Sequence, residues 1–181
     1  EHLLLDAHGE DMAVLSDDVL AGALKLAASA VADHRAGKSI VRTQSLPDGP
    51  GRHCTVMAIV NDNKPFLFDS VLGEINAASS TVEFVVHPVL EVQHSKSGFE
   101  IIDKSRPGMA LESTVRTSVI SVVMSGLDDR AVTELEAGII ATLGQVAAAV
   151  RDWPVMLDRL DAIVAELHDG ILPARKGDVA E

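Results

Sequence analysis

Two short stretches hold the side chains best placed for chemistry. The first is a polar turn, Asn61, Asp62, Asn63, Lys64 and Pro65, running into Phe66, Asp69 and a helical pattern; the second is His87 followed by Pro88 inside an apolar, β-branched run. An imidazole held in a strand can serve a ligand pocket or a subunit contact, and His87 and Pro88 are the candidates for such an interface. A histidine satisfied within the core or at a sheet edge needs no such role. Other chemistries lack their residues. His53, His94 and His168 have no His, Cys or carboxylate partner at zinc-ligand spacing, so they read as incidental surface residues and no metal is expected. No serine, Ser118 and Ser121 included, lies in a G-x-S-x-G turn. The glycines form neither a dinucleotide fingerprint nor a P-loop. No catalytic or cofactor-binding residue is therefore expected.

The elements that must position these residues follow from spacing. Ser16 can cap a first helix, with Asp17 and Asp18 at its positive end, that runs to Gly37 and carries two apolar stripes, Leu20, Leu24, Ala27, Val31 and Val19, Ala23, Leu26, Ala30. Residues 39–46 read as a strand, PDGPG at 47–51 as a turn, and 53–60 as a second, more buried strand. Asp62 or Asn63 can cap the next helix, whose first turn accepts Pro65 and whose core face is Phe68, Val71, Leu72 and Ile75. Residues 81–92 form a strand in which Pro88 removes a ladder donor and implies a bulge or an edge. His94 to Gly98 is a turn, Phe99 and Ile101 return as a partner strand, and 115–124 is another β-branched run. Asp128 opens a long helix with Val132, Leu135, Ile139, Leu143, Val146 and Val150 on one face. Asp152 then reads as the cap of a final helix beginning at Trp153 and ending at Gly170. Trp153 reads as a packing anchor between the two helices. The order is α+β, with about four or five mostly antiparallel strands.

Composition limits the partners. The chain is 47% hydrophobic and 23% charged, ordinary for a folded domain, and its net charge of −12 opposes nucleic acid and anionic membranes. No apolar run is long enough to span a bilayer and no secretory signal pattern opens the chain, so a cytoplasmic location is expected. The single cysteine, Cys54, sits in an apolar stretch and reads as a buried hydrophobe in a reducing compartment. The start at Glu1 and the polar tail suggest a piece of a longer protein, with the expected divisions 1–38 helical, 39–152 α+β, 153–172 helical and 173–181 disordered.

The runs PFLFDSV at 65–71, VVHPVLEV at 85–92 and SVISVVM at 118–124, with HLLLDAHGEDM at 2–12 and RDWPVM at 151–156, resemble the N-terminal region of the large bacterial NAD-specific glutamate dehydrogenases. That resemblance implies an ACT-like, ferredoxin-like antiparallel sheet with helices packed mainly on one face, plus extra helices at both ends. It implies that NAD and the oxidative deamination of glutamate belong to the parent enzyme, while this piece is a regulatory and assembly module. Its partners would be other domains of the parent chain or a second subunit in a homo-oligomer. ACT domains run βαββαβ, and the final strand is missing here; residues 39–46 are expected to take its edge. In amino-acid-sensing ACT domains a glycine at the turn before the first helix lets backbone amides meet a ligand carboxylate. Phe66 stands at that place and should obstruct such a pocket, and Asp62 should repel a carboxylate unless Lys64 offsets it. The alternative reading remains an effector site, for an amino acid, at Asn61, Asp62, Lys64, Phe66 and Asp69 or at a dimer interface.

Overall fold

The computed structural model describes residues 2–4, 12, 14–78, 81–95, 98–102 and 114–168. Most of the motif at 2–12 and the tail at 173–181 lie outside the described residues. The chain divides into two compact units, Glu1–Val146 and Ala147–Glu181.

In the first unit a 3-10 turn at His2–Leu4 precedes α1, Asp17–Asp33. Among the described residues six strands follow: β1 Ile40–Pro47, β2 His53–Asp62, β3 Thr81–Val86, β4 Val89–Ser95, β5 Gly98–Ile101 and β6 Val115–Ser125. Helix α2, Leu67–Ala77, connects β2 to β3, and α3, Asp129–His168, follows β6. The sheet is antiparallel in the order β1-β2-β6-β4-β5, with β3 also on β6. This is the α+β, ACT-like ferredoxin-type arrangement that the sequence suggested. β1 pairs β2 along its length, from Ile40 opposite Val60 to Pro47 opposite His53, at the edge where the missing final strand would lie.

β2 and β6 form the centre, and alternation divides their side chains between two covered faces. Ala58 and Val60 of β2, with Val119, pack against Ala27, Ala30 and Val31 of α1. Cys54 and Val56 meet Val19 and Ala23 farther along the same helix. The two stripes expected on α1 merge into one buried face, on which small residues allow close approach to the sheet. Arg42 of β1 reinforces this side through Asp33 and the Ser29 hydroxyl.

Helices α2 and α3 lie against the opposite face. Thr43 of β1 donates to Glu136 of α3, and Thr142 Oγ1 of α3 donates to Glu74 Oε1 of α2 at 2.9 Å. Gly138 keeps this helix contact close: a Cβ there would stand 2.9 Å from Glu74 Oε2. Leu67, Val71 and Ile75 of α2 and Leu135, Ile139, Leu143 and Val146 of α3 are the buried apolar residues of these two helices.

Several local expectations need correction. α1 stops at Asp33 with His34 as its C-cap, and Gly37 (φ 79°) instead serves the turn after it. Neither Asp62 nor Asn63 caps α2; Phe66 occupies the N-cap position without a side-chain cap bond. His94 belongs to β4, so the strand runs farther than expected. Across His87 and Pro88 the pairing with β6 keeps one register, from Val86 opposite Ser121 to Val89 opposite Ser118. Pro88 therefore produces no bulge. The irregularity lies at Val82/Phe84, while at Pro88 the ladder loses one donor: its carbonyl accepts the Val119 N–H, its nitrogen on the same side has none to give, and β3 ends at Val86 before β4 begins at Val89. Asp128 does accept the Ala131 N–H at 2.8 Å and opens α3, but α3 then continues through Pro154, and no second helix begins at Asp152. Proline forfeits one intrahelical bond here, whereas the three- and four-residue apolar spacing from Ile139 to Leu167 is unbroken.

The described part of the second unit is helical and exposed throughout residues 151–168, including Trp153 at 53%. Trp153 is thus no packing anchor in this structure.

Close packing of α1 makes a direct test. Ala30, fully buried, should not accept a larger side chain: Ala30→Leu is expected to destabilise by about 1–3 kcal/mol in urea unfolding. Lys25→Ala on the exposed side should change stability by less than about 0.5 kcal/mol. Equal, small effects would contradict the placement of α1.

Candidate functional site

The sequence-nominated turn joins the end of β2 to α2, and alternation sends its neighbouring polar residues to opposite faces. Asn61 is buried, 2% exposed, opposite Ser118 of β6. Asp62 faces the α1 side, where Oδ2 accepts the Gly37 N–H at 2.8 Å and Oδ1 lies 3.5 Å from His34 Nε2. Asn63 continues the backbone contact by donating its N–H to the Arg116 carbonyl at 2.8 Å. Lys64 is half-buried, and Asp69 is exposed.

Phe66 combines a φ of 64° with 64% exposure. It is the only non-glycine residue with positive φ among the described residues. The backbone thus adopts the left-handed conformation that glycine favours, while the ring projects outward and fills no pocket. The Ser70 N–H returns to the Phe66 carbonyl at 3.1 Å, closing the first turn of α2.

On the α2 face, Phe68 stacks on His87 with ring centroids 4.6 Å apart and planes 10° from parallel. His87 Nε2 lies 2.6 Å from the buried Ser118 hydroxyl. Asn61, Ser118, His87 and Phe68 thereby gather at one end of the central strands. Pro88 points the other way, is buried, and its carbonyl accepts the Val119 N–H at 3.0 Å. His87 and Pro88 do not share one surface.

A second cluster appears on the α1 face. His34 is fully buried, and neither ring nitrogen has a hydrogen-bond partner. Its 3.5 Å approach to Asp62 is too long for a good hydrogen bond. Arg35 lies 3.3 Å from His94 Nδ1; because arginine only donates, neutral His94 carries its proton on Nε2. The His34 and His94 rings are 6.4 Å apart, and Phe99 lies at the same distance from His94. His94 is therefore packed within a cluster, contrary to the surface placement expected for it. Burial is the main influence lowering the His34 pKa below its ordinary value, opposed first by Asp62 and then supported by His94; the Lys38 backbone favours the proton and Arg35 disfavours it. Burial and then Arg35 lower the His94 pKa.

Sequence spacing concealed this cluster, since His34, Asp62 and His94 are remote in the chain. Extending the β2 alternation by two residues would have revealed the direction of Asp62. Cys54 is buried, and burial, followed by the Asp48 and Glu83 charges, raises its pKa, as suits an unreactive thiol. Among the described residues no group of three or more His, Cys, Asp or Glu is arranged to hold a metal. No helix among them is long and apolar enough to cross a membrane.

Two stability measurements test these arrangements. Left-handed backbone costs a non-glycine residue roughly 1–2 kcal/mol, while glycine adds about 0.5–1 kcal/mol of unfolded-state entropy. Phe66→Gly should therefore unfold within about 1 kcal/mol of wild type, on the stabilising side, and Phe66→Val should lose about 1–2 kcal/mol. The opposite ranking would contradict the turn conformation. For His34, the lowered folded pKa means that the unfolded chain binds more protons just below the ordinary histidine value of about 6.5. Its contribution is present above that pH and is lost as pH falls toward the folded value. Urea unfolding at about pH 7.5 and about pH 5.5 should show that loss. His34→Gln should show a smaller pH difference; an unchanged difference would contradict the assignment.

No curated protein and no solved structure shows a significant match. Residues 1–139 match the family described as Glutamate dehydrogenase, ACT1 domain. The match contains α1, β1, the β2–α2 turn, all six strands and the start of α3, so the chain belongs to the glutamate dehydrogenase ACT1 domain family.

Proposed function

We propose that this chain is a non-catalytic regulatory and assembly module of a NAD-specific glutamate dehydrogenase. The parent reaction would convert L-glutamate, NAD and water to 2-oxoglutarate, ammonia and NADH, with NAD bound elsewhere in the parent. The module would act from the cytoplasm through other domains of the parent chain or through a second subunit.

The observation that carries the non-catalytic reading is the commitment of the turn's polar groups to structure. Asp62 holds Gly37 and faces His34, while Ser118 and Phe68 engage His87. These contacts join β2, α1, α2 and β6 at one end of the sheet. They favour transmission of force or packing over proton transfer, because the Ser118 hydroxyl that meets His87 is fully buried and presents no face to a substrate.

The alternative is an amino-acid effector bound at the turn. It is favoured by the absence of a side-chain cap at the start of α2, where backbone amides can receive a carboxylate. Asp69 is exposed in the first helical turn and Lys64 is half-buried, so an amino acid's ammonium and carboxylate would each have an opposite charge nearby.

A thermal-shift titration with glutamate, 2-oxoglutarate and aspartate tests the two readings. The assembly reading predicts no saturable shift. A true effector at about 100 times its dissociation constant would stabilise the fold by about 2.7 kcal/mol. A saturable shift abolished by Asp69→Ala would overturn the assembly reading in favour of an effector at the turn.

A further inference from the structure

We propose that the helical segment of the second unit is an interface for a second copy of this chain, docked antiparallel. This extends the assembly reading above and rests on it. Val150, Trp153, Leu157, Leu160, Val164 and Leu167 recur at alternating three- and four-residue intervals, the a/d spacing of a coiled-coil seam. Within this helix Trp153 is 53% exposed, Leu160 55% and Leu167 52%, so the seam is uncovered. Arg151, Asp152, Asp158, Arg159 and Glu166 lie away from the a and d positions, and Asp161 stands at the flank beside Leu160, so no charge falls on the seam itself.

The pattern is complementary to itself in only one direction. About a twofold axis between Asp158 and Arg159, Leu157 faces Leu160, Trp153 faces Val164 and Val150 faces Leu167 of the other copy. Each a position then meets a d position, and the bulky indole lies across from a small side chain. Parallel pairing would instead place each Trp153 against its counterpart. Met156 and Ile163, 54% and 45% exposed, meet each other at the flank of the antiparallel seam. Half-exposed side chains of this size present on the order of 100 Å² each, so two helices would cover roughly 1,200–1,500 Å², within the standard range for a stable interface. An interface of this kind closes after two copies.

Sedimentation equilibrium of the 181-residue chain, with circular dichroism to check folding, tests the assignment. The wild-type chain should be a dimer at micromolar concentration. Leu157→Lys and Leu160→Glu, each alone, should weaken the dimer at least tenfold while leaving the first unit folded. Combined, they place opposite charges across the axis and should recover most of the lost affinity; in a parallel pair like charges would meet and nothing would be recovered. A monomeric wild-type chain, a dimer indifferent to both single substitutions, or a failure of the combined variant to recover would each overturn the proposal. A monomer with no response in the ligand titration would leave the regulatory module without this self-interface, so the two readings fail separately.

Discussion

Burial of the central strands on both faces is the constraint from which the first unit follows. Eight successive residues of β2 and eight of β6 are buried, so neither strand retains a solvent face. An antiparallel sheet covered only by α2 and α3 would expose Cys54, Val56, Ala58, Val60, Val119 and Val123. Removing such apolar area from water is the main favourable contribution to folding. α1 supplies the second cover, and its alanines let the helix lie close. The first helix is thus part of the ACT-like module, in agreement with a family match that begins at residue 1.

The same two-sided burial governs the end of β2. Asn61 turns toward the α2 face, beside Ser118, while Asp62 turns toward α1 and its buried histidine. Adjacent residues thereby feed different clusters on opposite faces of one sheet. The connection gives the turn a mechanical character: a shift of its backbone would disturb the Phe68–His87 stack and the Asp62–Gly37 bond together. Phe66 places an exposed ring directly on that turn.

Most of the fold was legible where local chemistry and burial agree. Ser16 accepts the Val19 N–H at 3.3 Å as its cap position implied, and the PDGPG turn joins the two strands it separates. The replacement of the missing final strand by β1 followed from the lack of β character after Arg151. The candidate site was less legible because its decisive contacts cross the chain. Nothing near His34 announces Asp62 or His94, and Phe66 could be aligned with a glycine position without revealing that its ring projects outward. Pro154 misled in the other direction: a local helix breaker outweighed an apolar period that continues on both sides of it.

Native-state hydrogen exchange tests most directly whether α1 and β1 complete the sheet. Amides of β2 and β6 should exchange only through global unfolding, and those in the middle of α1 and along the paired side of β1 should share that opening free energy and its denaturant dependence. Exchange of α1 and β1 through a separate, much lower-energy opening that leaves β2 and β6 protected would contradict a single module covered on both faces.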